Sequence, residues 1–231
     1  MNNFLKKIFF RSKNQNYISS KILELSKDAS IKKIFSAINN FSEISEIRYV
    51  GGCIRKIINR EITDDIDLAT NLKPSEVCRA LKDHGIDYYE SGIEHGTITA
   101  LIENKKFEIT SLRKDLITDG RHAKVEFSLD WKEDASRRDF TINAIYADRE
   151  GNIFDPFNGK KAIEEGVVSF IGDAENRIKE DYLRILRFIR FSLEYNSNIK
   201  DHNIIRIINK NVRFLKFISQ ERLFIELKKY Y

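Results

Sequence analysis

An α+β fold is what this sequence predicts: a small mixed sheet with helices, followed by an all-α segment. Three observations carry that expectation. Strand-length apolar runs alternate with helical periodicities through the first two thirds of the chain. Beyond Asp155-Pro156-Phe157-Asn158-Gly159 the apolar spacing turns almost wholly helical. Only two prolines occur, Pro74 and Pro156, and no low-complexity linker or internal repeat separates the two parts.

In chain order, Met1 to Ser12 is basic with Phe4, Leu5, Ile8, Phe9 and Phe10, and reads as a first helix. It lacks the long apolar core and small-residue cleavage site of a signal peptide. Glu46 to Val50 reads as a short strand, Cys53 to Arg60 as a helix after Gly51-Gly52, and Ile62 to Thr70 as a second strand. Pro74 opens a helix through His84, since proline is tolerated in a first turn. Gly96 to Ile102 and Phe107 to Leu112 read as strands joined at Glu103-Asn104-Lys105-Lys106, a hairpin signal. Arg113 to Ala135 is polar, carries Asp119-Gly120, and reads as a mobile loop. Tyr182, Ile185, Leu186, Ile189 and Leu193 have helical spacing, which Ile204 to Ile208 and Leu223 to Leu227 continue.

Composition narrows the class. A chain of 231 residues can bury one large or two small cores. Its 42% hydrophobic and 32% charged residues are ordinary for a globular protein. Cys53 and Cys78 have no paired spacing and no histidine cluster, which argues against a zinc site or disulfide framework and for a reducing, cytoplasmic setting. No apolar run approaches the ~18 residues of a membrane span, so no membrane partner is expected. Residues 1–33 hold eight Lys/Arg against two Asp/Glu, and residues 200–231 eight against three, around an acidic middle. Basic flanks about an acidic centre suit a polyanion held beside a carboxylate site; solvated Lys-rich helices give the same pattern.

The acidic centre contains Asp65-Ile66-Asp67. On a strand, residues i and i+2 share a face, so the two carboxylates would project side by side and repel. Mg²⁺ is the usual remedy for such a pair, and two such ions about 3.5–4 Å apart support phosphoryl or nucleotidyl transfer. A polar turn fits the same three residues. Gly51-Gly52, between strand and helix, lets backbone approach a ligand and offers helix N–H groups to phosphate, with Arg55 close by; alone it is also just a turn. Glu108 lies on the later strand as a possible third carboxylate or proton acceptor, or as an exposed strand glutamate. In Arg137-Arg138-Asp139-Phe140-Thr141-Ile142-Asn143, guanidiniums suited to phosphate stand beside a carboxylate and an amide, a pattern a surface ion cluster shares.

Glu180-Asp181-Tyr182-Leu183-Arg184 puts Asp181 and Arg184 at i, i+3, a helix salt bridge or something more specific. A carboxylate accepts from an exocyclic amine and a guanidinium donates to a ring acceptor. Cytosine and adenine offer that donor–acceptor order on the Watson–Crick edge, while uracil and guanine reverse it. One Asp/Arg pair can thus accept C and A and reject U and G. Arg187 and Arg190, further along, are placed to meet a triphosphate.

Taken in order, these motifs resemble the head and neck of the tRNA nucleotidyltransferase and bacterial poly(A) polymerase family, class II branch, from about Tyr17 to the C-terminus. The resemblance implies a palm-like nucleotidyltransferase head over residues 1–165 and a helical neck over 166–231. It implies that Gly51-Gly52-x-x-Arg55 with Asp65-x-Asp67 binds triphosphate and Mg²⁺, that Glu108 is the third acidic position, and that Arg138 and Asn143 serve the nucleotide sugar and phosphates. Asp155-Pro-Phe-x-Gly159 corresponds to a hinge, Glu180-Asp181-x-x-Arg184 to the protein template for C and A, and Ile218-Ser219-x-Glu221-Arg222 to the last neck motif. Lys56 stands where the family often has Asp, and Asn158 where it usually has Gly.

The implied activity is addition of C and A to the tRNA 3′ end from CTP and ATP. Addition of CC alone, of A alone or of a poly(A) tail are alternatives within the family. A nucleotide-binding fragment with little activity alone is another. The family's body and tail would follow Tyr231, so a partner segment in cis or trans is an expectation too.

Overall fold

The computed structural model describes residues 16–63, 65–118, 123–195 and 202–230. The proposed helix at Met1 to Ser12 and the Asp119-Gly120-Arg121 segment lie outside them. Helix α1 runs over 16–25 of the described residues. Helix α2 (Ala29–Asn39) starts where the Asp28 carboxylate accepts from the Ser30 and Ile31 N–H groups at 2.8 and 3.3 Å, satisfying donors a helix start leaves open. Then follow β1 (Ile47–Val50), α3 (Gly52–Ile58), β2 (Asp67–Thr70), α4 (Pro74–Asp83), β3 (Asp87–Gly92), β4 (Thr97–Ile102) and β5 (Lys105–Ser111).

Strands β8 (Tyr146–Ala147) and β9 (Ile153–Phe154) complete a seven-stranded sheet of order β3-β4-β5-β2-β1-β8-β9. Its one parallel pair is β2 with β5, and the others are antiparallel. The β4–β5 hairpin turns at Glu103 and Asn104, whose φ of 50° and 65° match the left-handed pair of a tight hairpin turn. Side chains alternate across this sheet. Ile47, Tyr49, Leu68, Ile98, Phe107 and Ile109 join the helices of the first half in the main core. Val50, Ala69 and Tyr146 pack on Trp131 in a smaller cluster.

Two expectations are corrected. The second strand begins only at Asp67, not at Ile62. Its antiparallel partner β1 ends at Val50, where Gly51 turns the chain into α3 at φ 67°, ψ −118°, so residues before Asp67 have no ladder to join on that side. Asp65 therefore precedes the strand rather than sharing its pleat. The polar stretch Arg113 to Ala135 is a hairpin, β6 (Arg113–Thr118) with β7 (Ala123–Phe127), followed by α5 (Trp131–Ser136). Strand β3 and the two-residue strands β8 and β9 are additions to the elements expected from the sequence.

From Gly159 the chain is helical, as expected: α6 (Gly159–Glu164), α7 (Ala174–Glu180), α8 (Leu183–Glu194), α9 (His202–Asn211) and α10 (Gln220–Leu227). Phe140, Phe170, Phe188 and Phe191 form one ring cluster with centroid separations of 4.8 to 6.1 Å. Edge-on and offset pairs of this kind each add about 0.5–1.5 kcal/mol beyond burial. The cluster welds α8 to the segment after α5.

Asn158 takes the left-handed conformation (φ 56°, ψ 34°), in which asparagine is the best substitute for glycine. The Asp155 carboxylate then accepts from the Gly159 and Lys160 N–H groups at 2.7 and 2.9 Å. A Cβ at Gly159 would sit 2.1 Å from the Thr141 carbonyl oxygen. Gly159→Ala is expected to cost about 1–3 kcal/mol, the usual penalty of overpacking, read as a lowered urea midpoint with unchanged m-value.

Candidate active site

Strand alternation puts Asp67 on the sheet face opposite Leu68, with Leu68 in the main core. In the parallel register Glu108 lies directly beside Asp67. Its neighbours Phe107 and Ile109 are core residues, so Glu108 shares the Asp67 face, and it is exposed. Asp65, exposed, enters from the preceding turn, where the Thr63 hydroxyl donates to its carbonyl at 3.3 Å. Burial pushes the Asp67 carboxyl up to about 6, with repulsion from Asp65 and Glu108 adding and attraction to Arg138 and Arg55 opposing. Among the described residues no set of three Asp, Glu, His or Cys converges as a ready-made metal cage, so a cation here would draw ligands from Asp65, Asp67, water and substrate.

Gly51-Gly52 occupies the gap between the acidic strand and the basic wall. A Cβ at Gly52 would lie 3.9 Å from Asp67 Oδ2, and one at Gly51 3.6 Å from Arg138 Nη1. Both glycines, Asp65, Asp67, Arg55, Arg138, Asn143, Asp181, Arg184, Arg187 and Arg190 line one cleft of ≈ 750 Å³. Glu108 stands outside its lining. The sequence-predicted residues thus converge from four separate stretches of chain, 51–55, 65–67, 138–143 and 181–190, with Glu108 at the margin.

Each arginine of the cleft is held by an acid or amide, which the sequence did not reveal. Asp134, 0% exposed, accepts from Arg137 at 2.7 Å, Arg138 at 3.1 Å and the Tyr146 hydroxyl at 2.7 Å. Burial alone would raise this carboxyl; Arg138, Arg137 and Tyr146 together hold it well below the usual carboxylate range. Asp139 accepts from Arg187 at 2.7 Å, Asn143 Nδ2 at 2.9 Å and the Phe140 N–H at 2.8 Å. Burial opposes those contacts, yet the Asp139 carboxyl is also depressed. Arg55 donates to Asn143 Oδ1 and stacks over Phe191 at 4.6 Å. Its buried Nε has no hydrogen-bond partner among the described residues, a donor of the kind an incoming anion satisfies.

The Asp181/Arg184 reading is corrected in geometry. The two residues do not share a helix face, because α7 ends at Glu180 and Asp181 is extended (φ −155°, ψ 106°). The Asp181 carboxylate accepts from the Leu183 N–H at 3.1 Å and from Arg222 at 2.7 Å. Arg184 donates instead to Glu180 at 2.6 Å and to the Arg177 carbonyl at 2.9 Å. Arg190 bonds Glu226 at 2.8 Å and Glu194 at 3.3 Å. Sequence reasoning missed Asp134, Tyr146, Arg222 and Glu226 as parts of this site. A weak signal existed for Arg222 in the Ser219-x-Glu221-Arg222 motif; nothing flagged Asp134.

A sheet carrying carboxylates at one strand start, a glycine turn beside them and an arginine-lined cleft is the arrangement of a polymerase-type head domain. The chain belongs to the poly A polymerase head domain family, whose family model matches residues 47–169, more than half of its length. It is 44% identical to the human CCA tRNA nucleotidyltransferase 1, mitochondrial, over 81% of this chain and 44% of that protein. It is 36% identical to the CCA-adding enzyme of Staphylococcus haemolyticus, over 80% of this chain and 45% of that one. The solved CCA-adding enzyme of Bacillus stearothermophilus in complex with CTP superposes with a TM-score of 0.72 at 30% identity, over 88% of this chain and 49% of that one. The chain thus spans a little under half the length of the curated relatives it matches.

Removing the buried Asp134 strands two half-buried guanidiniums, so Asp134→Ala is expected to destabilise the fold by about 3 kcal/mol. Because the folded pKa values of Asp134 and Asp139 are depressed, their stabilisation is full above the ordinary Asp value of about 3.9 and is lost as pH falls toward the folded values. Urea titrations from pH 7 to pH 3 should show a shallower acid loss in Asp134→Ala than in the parent.

Proposed function

We propose that the chain is a template-independent nucleotidyltransferase that adds C and A to the 3′ end of tRNA, using CTP and ATP and releasing pyrophosphate. The observation that carries this reading is the convergence of Asp65 and Asp67 with an arginine cleft that also holds Asp181 and Arg184. The names of the relatives support CCA addition over CC, A or poly(A) addition.

In this reading the tRNA 3′-hydroxyl oxygen bonds to the α-phosphorus of the nucleotide as the bond to the pyrophosphate oxygen breaks. Asp65 and Asp67 would hold Mg²⁺, whose charge stabilises the attacking and leaving oxygens when it is bound. The mutual repulsion of Asp65 and Asp67 would be relieved by such an ion. Glu108, beside Asp67 at the margin of the cleft, would take the hydroxyl proton. Arg55, with its unpartnered Nε, and Arg138 meet the phosphates across Gly51-Gly52, while Asn143 serves the sugar end. Arg187 and Arg190 add charge along the triphosphate, and Asp181 with Arg184 reads the base edge.

Residues 1–165 are assigned as the head and 166–231 as the neck, a division close to the end of the family match at residue 169. The basic residues of 200–231 would attract the tRNA backbone. No helix among the described residues is long and apolar enough to cross a membrane. Cytoplasm remains the proposed compartment. The mitochondrial designation of the human and mouse relatives points to a second one, and free Cys53 and Cys78 suit either reducing setting.

The test is extension of tRNA lacking its 3′ CCA by the 231-residue chain with Mg²⁺ and each nucleotide, alone and combined. CTP plus ATP should add three nucleotides, and Asp67→Asn should slow this by about a hundredfold or more, as loss of one preorganised electrostatic group does. Absence of extension at high tRNA concentration would refute catalysis by this chain.

A further inference from the structure

Helix α10 touches Asp181, one of the proposed base-reading residues, as well as Arg187 and Arg190 of α8. Its start is fixed by Ser219, whose hydroxyl oxygen accepts from the Arg222 N–H at 3.4 Å. One turn on, Glu226, 2% exposed, bonds Arg190 at 2.8 Å and lies 3.7 Å from Arg187, both on α8. Near the C-terminus the Tyr230 hydroxyl donates to the Leu186 carbonyl at 2.7 Å. Arg222 and Glu226 are i, i+4 and so share one face of α10. A buried ion pair therefore holds the helix against α8 independently of the contact Arg222 makes with Asp181.

That contact matters because of where Asp181 sits. It lies in the break between α7 and α8, extended and outside either ladder, where its side chain needs outside partners to hold one orientation. The Leu183 N–H takes Oδ1 at 3.1 Å and Arg222 takes Oδ2 at 2.7 Å. With one donor on each oxygen the carboxylate plane is fixed, and each oxygen keeps a second lone pair for a ligand. Arg184, by contrast, is bound to Glu180 and the Arg177 carbonyl, and no Asp181–Arg184 contact orients the carboxylate.

We infer that Arg222 is a positioning residue for base selection: it fixes the Asp181 carboxylate so that it accepts the amino group of cytosine or adenine and opposes the carbonyl of uracil or guanine. The inference rests on the proposed base-reading role of Asp181. A carboxylate free to rotate can turn both oxygens away from a carbonyl, so removing Arg222 relaxes selection. A residue that only stabilised the neck would weaken all nucleotides alike.

Equilibrium binding of CTP and of UTP to the full chain with Mg²⁺ separates these cases without requiring tRNA. The UTP-to-CTP Kd ratio should fall by about tenfold in Arg222→Met, within the range expected for one discriminating hydrogen-bond pair. Arg222→Lys, which keeps a donor for Oδ2, should recover most of the ratio, and all variants should keep the parent circular dichroism spectrum. Asp181→Asn is the reference. If it lowers the ratio while Arg222→Met leaves it unchanged, or raises both Kd values by one factor, the role of Arg222 is overturned and the base reading stands. A parent chain that binds CTP and UTP equally overturns both.

Discussion

The ion pair between Asp139 and Arg187 is the contact on which the rest of the site depends. It spans 48 residues of sequence at 2.7 Å and joins the segment after α5 to the middle of α8. Asp139 is 8% exposed, so its charge must be compensated on the spot, and it takes Asn143 Nδ2 and the Phe140 N–H as well. Those two contacts fix Asn143, which fixes Arg55 in turn, and they set Phe140 into the ring cluster with Phe170, Phe188 and Phe191. Polar and apolar contacts therefore enforce one docking of α8 against the sheet. The polar part gives it register, because a buried pair broken on one side costs several kcal/mol while an apolar slip costs less.

The same logic explains why a cleft this rich in arginine is lined with acids. Arg137 and Arg138 answer to Asp134, Arg187 to Asp139 and Glu226, Arg190 to Glu226 and Glu194, Arg184 to Glu180, and Arg222 to Asp181. A cluster of unpaired guanidiniums in a partly dry cleft would repel itself. On the proposed function, a triphosphate entering it would exchange partners rather than fill a vacancy, so much of the Coulomb attraction would be offset by contacts given up. Such exchange would keep affinity moderate and let a product anion leave. Arg55 is the exception, since its buried Nε gives up no hydrogen bond when an anion arrives.

Much of this was legible in the sequence, for identifiable reasons. The Gly-Gly turn, the helix opened by Pro74, the β4–β5 hairpin and the helical second half follow from local signals, and all are present. The cleft residues were readable because each lies within a short motif. What was not legible depends on pairings that the local pattern does not announce. Asp65 was placed on a strand because alternation reads on through Ile62 to Thr70, but a strand needs a neighbour and β1 has already turned away at Gly51. The β6–β7 hairpin was passed over as loop because charges at Arg113, Lys114 and Asp115 hide any period of two. Asp134 resembles any helix-start acid until folding buries it between two arginines and Tyr146.

The Asp181/Arg184 pair shows how a sequence motif can suggest the wrong geometry. Spacing of three implies a shared helix face only if the helix is continuous, and here it stops at Glu180 and restarts at Leu183. The break is useful in itself. Within a helix the backbone N–H of Leu183 would be committed to a carbonyl four residues back; at a helix start it is open and caps Asp181 instead. The other oxygen then faces a helix that arrives 41 residues later. A carboxylate that must tell an amino group from a carbonyl has to be rigid, because both ligands have the same shape and differ only in hydrogen-bond polarity. Rigidity at a chain break cannot come from the local backbone ladder, so it has to be supplied from elsewhere in the fold, and α10 is the element that reaches it.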